Sequence, residues 1–180
     1  MNQKLFEKTI KIDSVFKGKI IDLEVQEVEL PDGQKGNREI VHHPGAVAVI
    51  CVTDSEKMVL VKQYRKALEK AIAEIPAGKL EKGEDPRLCA QRELEEETGI
   101  KAAYMKEVAS FYTSPGFADE LVHVYEAENL SAGEVHTDED EFVERMDVTL
   151  DEAKYMIKTG EIHDAKTMYA VQYWEMRKNS

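Results

Sequence analysis

The stretch between Asp85 and Gly99 carries the strongest local structural signal in the sequence. Aspartate is favoured immediately before a helix, proline is favoured at the first helical position, and glycine commonly ends a helix. Asp85, Pro86 and Gly99 occupy these three positions, so the sequence predicts a helix from Pro86 to Thr98. The fold must pack this helix against a core and must also accommodate its charges.

The charges on this helix are concentrated in its second half. Glu93 and Glu97 are one turn apart on the same side, with Glu96 beside them. Two carboxylates about 6 Å apart repel by roughly 3 kcal/mol at an effective dielectric constant of about 20. Arg92 can pair with Glu96, but one arginine does not offset the group. A divalent cation such as Mg²⁺, which prefers oxygen ligands, would do so; a solvated, salt-bridged face is the alternative.

The residues around the helix favour the metal-binding interpretation. Five residues separate Gly78 from Glu84, seven separate Glu84 from the pair Arg92-Glu93, and the pair Glu96-Glu97 is followed by Gly99. This pattern resembles the Nudix box at every defined position, and the chain from about residue 46 onward resembles a Nudix hydrolase domain. The resemblance implies a loop–helix–loop that binds divalent metals, which hold the pyrophosphate of a nucleoside diphosphate linked to a further group.

The same resemblance implies a set of metal ligands. Glu93, Glu97 and the backbone carbonyl of Ala77 match the main ligands of similar enzymes. Glu96 matches the remaining carboxylate of the box, which either binds metal through water or pairs with Arg92. Glu84 is interpreted as a structural or outer acid. The expected cofactor is Mg²⁺, with Mn²⁺ as an alternative.

Residues outside the box resemble the ADP-ribose pyrophosphatase branch of this family. Pro115, followed by Gly116, stands after the box at the distance typical of that branch. Arg65 matches an arginine that contacts substrate, and Arg38 and Glu39 match residues that reach the adenosine half from the partner subunit of a dimer. These five residues are therefore the predicted substrate-binding positions.

An acidic segment, residues 137–144, contains the predicted general base. In similar enzymes a loop in this region carries a glutamate that activates the attacking water. Glu141 is the first candidate and Glu139 the second. A solvated surface loop is the alternative, because acidic runs commonly lie on protein surfaces.

The overall pattern predicts an α/β fold. Alternating apolar residues and the turn Pro31-Asp32-Gly33 predict a small N-terminal antiparallel β-sheet, too small to be stable alone. The apolar run 46–53 predicts a buried strand, and capping signals predict two helices ending near Lys158 and Met176. The resemblance implies an α/β/α sandwich with a mixed central sheet. We therefore expect an N-terminal β-sheet dimerisation region, residues 1–44, and a Nudix hydrolase domain, residues 45–180, in a homodimer.

Composition narrows the possible partners. The chain has 24 basic and 36 acidic residues, a formal net charge of −12, which argues against binding to nucleic acid or an anionic membrane. No apolar run approaches the roughly 20 residues that span a bilayer. The two cysteines are far apart and are expected to be buried thiols. A cytoplasmic location and a small nucleotide substrate are expected.

The implied function is Mg²⁺-dependent hydrolysis of the pyrophosphate bond of ADP-ribose to AMP and ribose 5-phosphate. One alternative is a Nudix hydrolase of another nucleoside diphosphate derivative: a nucleotide sugar, a dinucleoside polyphosphate or NADH. The other is a non-catalytic module that binds metal or nucleotide. The complete box and the acidic segment argue against this last alternative.

Overall fold

A computed structural model describes residues 4–136 and 142–179 of the chain. It divides into two compact units. The first comprises Met1–Gly45 and Phe111–Val122, and the second comprises Ala46–Ser110 and His123–Ser180. The segment Phe111–Val122 thus groups with the N-terminal region, whereas the sequence-based division at residue 45 assigns it to the hydrolase domain.

The first unit contains a three-stranded antiparallel sheet. Its strands are β1 (Lys8–Lys17), β2 (Asp22–Glu29) and β3 (Lys35–His42), in the order β1-β2-β3. Gly33 has a φ of 83° in the turn between β2 and β3, a left-handed conformation that glycine adopts without steric cost. The predicted N-terminal sheet and its turn are therefore present.

Strand β1 leaves a large amount of apolar surface uncovered. All of its residues are exposed, although a strand of a monomeric sheet normally buries one face against a core. The exposed large apolar side chains of this strand are Ile10, Ile12, Val15 and Phe16. Several exposed large apolar side chains on one strand are typical of an interaction site.

Within the described residues, the remaining strands form two sheets, and three α-helices and a short 3₁₀ helix, Lys66–Leu68, accompany them. One sheet has the order β10-β5-β6 and the other the order β7-β4-β9-β8. The strands are β4 (Ala46–Ile50), β5 (Met58–Arg65), β6 (Lys70–Glu74), β7 (Ala77–Lys79), β8 (Ile100–Tyr112), β9 (Leu121–Ala132) and β10 (Val143–Val148). The helices are α1 (Pro86–Thr98), α2 (Leu150–Thr159) and α3 (Ala165–Lys178).

Helix α1 has the predicted bounds, and the predicted caps explain them. The Asp85 carboxylate accepts hydrogen bonds from the backbone N–H groups of Arg87 at 2.9 Å and Leu88 at 3.3 Å. Gly99 ends the helix with a φ of 68°. Within the described residues, no helix is long and apolar enough to cross a membrane.

The buried apolar residues of α1 pack against the sheet. Cys89, Ala90 and Leu94 are buried in one cluster with Val47 and Val49 of β4. Cys51 and Cys89 are both buried and free, as expected. Because α1 also packs against β7, Glu93 and Glu97 lie beside the segment that contains Ala77 and Gly78.

Candidate active site

The segment Ala77–Gly78 lies against the two glutamates that were predicted as main metal ligands. Pairing of β7 with β4 places Ala77 opposite Ala48 and Gly78 opposite Val47. The backbone N–H of Ala77 donates to Oε2 of Glu97 at 3.0 Å. A Cβ atom on Gly78 would lie 1.9 Å from Cδ of Glu93. The structure therefore brings Ala77, Glu93 and Glu97 together.

Both of these carboxylates are largely removed from solvent. Glu93 is 9% exposed and Glu97 is 3% exposed. Burial of an ionised carboxylate costs free energy unless cations or hydrogen-bond donors compensate for it. Glu97 accepts the Ala77 N–H, and Oε1 of Glu93 accepts a hydrogen bond from Nη1 of Arg92 at 2.8 Å.

Arg92 connects three carboxylates at this site. Besides Glu93, its Nη1 donates to Oε2 of Glu96 at 2.8 Å, and its Nε donates to Oε1 of Glu84 at 3.2 Å. Burial alone would lower the pKa of Arg92, but the hydrogen bond with Glu84 and the charge of Glu93 raise it. The guanidinium group therefore stays protonated and offsets one of the four negative charges carried by Glu84, Glu93, Glu96 and Glu97.

The contacts of Glu84 and Glu96 bear on the roles that the sequence left open for these two residues. Glu84 accepts hydrogen bonds from Arg92 and, at 3.0 Å, from the backbone N–H of Glu81. The Glu81 N–H and, more weakly, Arg92 hold the pKa of Glu84 below its ordinary value despite partial burial. Glu84 thus has a structural role, because it holds the loop before α1 to the helix. Glu96 pairs with Arg92, one of the two roles expected for it.

Glu95 lies away from this cluster. Its Oε1 is 3.1 Å from Nζ of Lys101 and accepts the backbone N–H of Glu134 at 3.4 Å. Within the acidic run, Glu95 therefore has a different environment from Glu93 and Glu97. This makes it a suitable control position for tests of the acidic site.

The donor set fits a hard divalent cation, with part of the coordination shell supplied from outside the protein. Among residues 4–136 and 142–179, no three His, Cys, Asp or Glu side chains converge closely enough to hold a metal by themselves. Glu93 and Glu97 are nevertheless suitable ligands for Mg²⁺. Both carboxylates are buried, and the lack of a side chain at Gly78 leaves room for that of Glu93. Magnesium commonly binds through one or two carboxylates and takes its other oxygens from water and substrate phosphates.

Arg65 lies in a second charged group of the same unit. Its Nε and Nη2 donate to the two carboxylate oxygens of Glu74 at 2.6 Å and 2.9 Å, and Nζ of Lys166 donates to Oε2 of Glu74. Burial would raise the pKa of Glu74, but these cations hold it below its ordinary value. Sequence analysis did not identify Lys166, because it is 92 residues from Glu74 and belongs to no local motif.

The other predicted substrate-binding residues belong to the first unit. Arg38 on β3 pairs with Glu7 through Nε at 2.8 Å and Nη2 at 2.5 Å, and Glu39 is exposed. The turn that contains Pro115 and Gly116 is joined to β3, because Val41 N–H donates to Phe117 O at 2.8 Å. The fold therefore brings the two predicted substrate-binding segments of this unit together.

The candidate bases Glu139 and Glu141 lie outside the described residues. The residues on either side of them are bound to the C-terminal turn of α1. The backbone N–H of His136 donates to Glu96 O at 3.1 Å, and Nη1 of Arg145 donates to Thr98 O at 3.0 Å. Glu96 and Thr98 each directly adjoin Glu97 in sequence.

The sequence of this chain is similar to those of known proteins. Residues 42–171 match the sequence profile described as the NUDIX domain. An ADP-ribose pyrophosphatase of Bacillus subtilis (strain 168) is 57% identical over 178 residues, which are 98% of this chain and 96% of that protein. A protein named methanol dehydrogenase activator, from Bacillus methanolicus, is 58% identical over 178 residues, 97% of this chain and 96% of that protein.

A solved structure confirms the α/β fold. The crystal structure of an ADP compounds hydrolase superposes with a TM-score of 0.83 and covers 95% of this chain and 92% of its own. The two sequences are 18% identical, so this likeness concerns the fold alone.

Proposed function

Because this chain belongs to the Nudix hydrolase family, we propose that it hydrolyses the pyrophosphate bond of ADP-ribose in a Mg²⁺-dependent reaction that yields AMP and ribose 5-phosphate. The observation that carries the proposal is the pair of buried carboxylates, Glu93 and Glu97, against the backbone of Ala77 and Gly78. The substrate follows from the relative named ADP-ribose pyrophosphatase, which is 57% identical to this chain.

Glu93, Glu97 and the carbonyl oxygen of Ala77 are the residues that would hold the metal. Glu96 would contribute through a water molecule or through its pair with Arg92. Bound Mg²⁺ supplies Lewis-acid chemistry, because it withdraws charge from pyrophosphate oxygens and lowers the pKa of bound water. Mn²⁺ would serve as an alternative because it prefers the same oxygen ligands.

The chain's own residues would position the substrate and move the proton. Arg65, with one edge paired to Glu74, would bind a phosphate oxygen through its remaining N–H groups. Glu141, or Glu139 in its place, would accept a proton as a water oxygen attacks phosphorus. The bond from that phosphorus to the bridging oxygen then breaks, and the two phosphate monoesters leave.

The adenosine half would be bound by Arg38 and Glu39 from the partner subunit of a homodimer, together with Pro115 and Gly116. The uncovered apolar residues of β1 support a dimer, because an isolated sheet with this surface would expose it to water. Mass measurement in solution tests this part of the proposal. A monomer at micromolar concentration would contradict the dimerisation role of residues 1–44.

Phosphorus NMR of the products is the direct test of the reaction. With Mg²⁺ and ADP-ribose we expect the pyrophosphate signals to be replaced by those of AMP and ribose 5-phosphate, and no turnover in the presence of EDTA. Binding without turnover would instead support a non-catalytic module.

A substrate panel separates ADP-ribose from other nucleoside diphosphate derivatives. It should contain a nucleotide sugar, a dinucleoside polyphosphate and NADH. NADH is included because a relative 58% identical to this chain is named as an activator of a dehydrogenase, and many dehydrogenases use a nicotinamide dinucleotide. If any of these compounds has a higher kcat/KM than ADP-ribose, that compound replaces ADP-ribose as the proposed substrate.

A further inference from the structure

An ion network around the buried carboxylate of Glu74 joins β5, β6 and the start of α3. Arg65 on β5 forms a bidentate pair with Glu74 on β6, at 2.6 Å and 2.9 Å. Lys166 on α3 donates to Oε2 of the same carboxylate and to Oδ1 of Asp164, the second contact at 2.9 Å. Glu74 therefore links an arginine predicted to bind substrate with a lysine for which neither the motif nor the proposed chemistry has a role.

Exposure differs between the two ends of this network. The side chains of Glu74 and Lys166 are 3% and 16% exposed, whereas that of Arg65 is 41% exposed. Arg65 contacts Glu74 through Nε and Nη2, and within the described part of the chain Nη1 makes no hydrogen bond. The accessible end of the guanidinium group is therefore available to an anionic ligand, and its buried edge is held.

Lys166 pairs with carboxylates that also attract Arg65. Three carboxylates act on Arg65, namely Glu74, Glu97 and Asp164, and a substrate phosphate must compete with them for the guanidinium group. Lys166 contacts two of the three, Glu74 and Asp164. The ion pair of Lys166 with Asp164 is made through Oδ1, at 2.9 Å. The other oxygen, Oδ2, is buried and accepts no hydrogen bond from the described residues.

Hydrogen bonds fix the backbone around Lys166 relative to Glu74 and to the following residues up to Ala77. Oγ1 of Thr167 accepts the N–H of Ile75 at 3.0 Å, and Asp164 caps α3 by accepting the N–H of Thr167 at 3.1 Å. Ile75 follows Glu74 and lies two positions before Ala77. The start of α3 is thus anchored to the strand and loop that carry Glu74 and Ala77.

From this geometry we propose that Lys166 is a positioning residue for substrate binding. It neutralises Glu74 and Asp164 and so keeps Arg65 oriented with its accessible N–H groups available to the substrate's pyrophosphate. The inference rests on the proposed function, in which Arg65 binds that pyrophosphate. Removing Lys166 would leave the buried carboxylate of Glu74 and the partly buried carboxylate of Asp164 without this cation, and they would draw the guanidinium group away from the substrate.

The test replaces Lys166 and measures substrate binding separately from turnover. We expect Lys166→Met to raise KM for ADP-ribose by roughly 10-fold to 100-fold, the range that corresponds to a hydrogen bond to a charged group, with a much smaller change in kcat. Lys166→Arg should restore most of the affinity, and Lys166→Gln, which keeps a donor without the charge, should be intermediate. Calorimetric titration with ADP-ribose in EDTA should show the same order of affinities.

A double-mutant cycle distinguishes positioning from a general structural effect. If Lys166 acts through Arg65, Lys166→Met should change KM by less than about twofold in an Arg65→Met background, because coupled residues are non-additive. Lys154→Met is the matched control, since Lys154 likewise pairs with a glutamate, in its case Glu175 of α3 at 2.6 Å. This variant should leave KM unchanged.

Additive effects of the two substitutions, or wild-type KM in Lys166→Met, would overturn the inference while the proposed hydrolysis stands. If Lys166→Met does not fold, wild-type affinity in folded Lys166→Gln overturns it equally. If the protein binds ADP-ribose without hydrolysing it, the proposed reaction fails, and the calorimetric series still decides the role of Lys166.

Discussion

The carboxyl group of Glu93 occupies the space in which a Cβ atom on Gly78 would stand, 1.9 Å from Cδ of the glutamate. The absence of a side chain at position 78 is therefore what allows this glutamate to lie against the backbone of β7. Gly78 has no left-handed φ angle, so close approach, and not backbone conformation, explains the glycine.

Gly78→Ala should consequently remove activity without unfolding the protein. The new methyl group meets the end of a flexible side chain, which can move aside, but the Glu93 carboxylate is then displaced from its position. We expect a large loss of kcat/KM and weaker Mg²⁺ binding, measured by steady-state kinetics and metal titration. Full activity in Gly78→Ala would contradict the placement of the site.

Glu97→Gln, compared with Glu95→Gln, tests which side of α1 binds the metal. Replacing a metal ligand should lower kcat/KM by more than roughly 100-fold, since loss of an outer partner alone typically costs 10–100-fold in metal affinity. Glu95→Gln should stay near wild type, because Glu95 pairs with Lys101. Kinetics across a range of Mg²⁺ concentrations is the measurement. A larger loss of kcat/KM in Glu95→Gln than in Glu97→Gln would show that the metal does not bind on the side of α1 that carries Glu97.

Glu141→Gln should lower kcat by roughly 10²–10⁴-fold with little change in KM, because this is the factor by which a general base usually accelerates a reaction. Glu139→Gln is the comparison, and the variant with the larger loss identifies the base. Steady-state kinetics on ADP-ribose decides between them. Wild-type turnover in both variants and in the double variant would mean that the acidic segment is only surface and that the base lies elsewhere, with Glu96 the next candidate.

His42 should make the stability of the first unit depend on pH. Its Nδ1 is 2.6 Å from Asp119 and its Nε2 is 3.1 Å from Glu24. These carboxylates raise the pKa of His42 above its ordinary value of 6.5. The raised pKa means that protonated His42 stabilises the folded state. This contribution is complete below about pH 6.5 and is lost as the pH rises through the folded-state pKa.

His42→Gln should therefore destabilise the protein more at about pH 6 than at about pH 9, where wild-type histidine is neutral as well. Urea denaturation at both pH values measures the difference. Asp119→Asn should show the same trend, because it removes one partner of the ion pair. An equal loss of unfolding free energy at the two pH values would exclude the ion pair as its cause.

Thr149→Ala should destabilise α2 without affecting catalysis. Oγ1 of Thr149 accepts the N–H of Glu152, and the Glu152 carboxylate accepts the N–H of Thr149 at 2.7 Å, which forms a capping box. Loss of such a cap typically costs about 1 kcal/mol. Denaturant unfolding should show this loss with KM unchanged, and Glu152→Gln should retain most of the stability because glutamine also serves in the box. An altered KM would mean that α2 contributes to the site.

Local signals were sufficient for the elements that depend on neighbouring residues. The bounds of α1 follow from Asp85, Pro86 and Gly99, and the start of α2 follows from the Thr149–Glu152 box, because a cap satisfies backbone groups within one turn. The one-turn spacing of Glu93 and Glu97 likewise determines that they share a side of the helix. The family could be recognised from sequence because its box is one continuous segment.

Only the tertiary structure decided how distant segments meet. Hydrogen bonding of Ala77 to Glu97 depends on the pairing of β7 with β4 and on the packing of α1 over them. The contact of Lys166 with Glu74 joins residues 92 positions apart, and that of His42 with Asp119 joins residues 77 positions apart. No periodicity or fixed spacing in the sequence marks such residue pairs, because strand pairing and core packing bring the two residues together. The sequence by itself thus determined the helix, the acidic motif and the family, and the folded chain determined which charges lie beside one another.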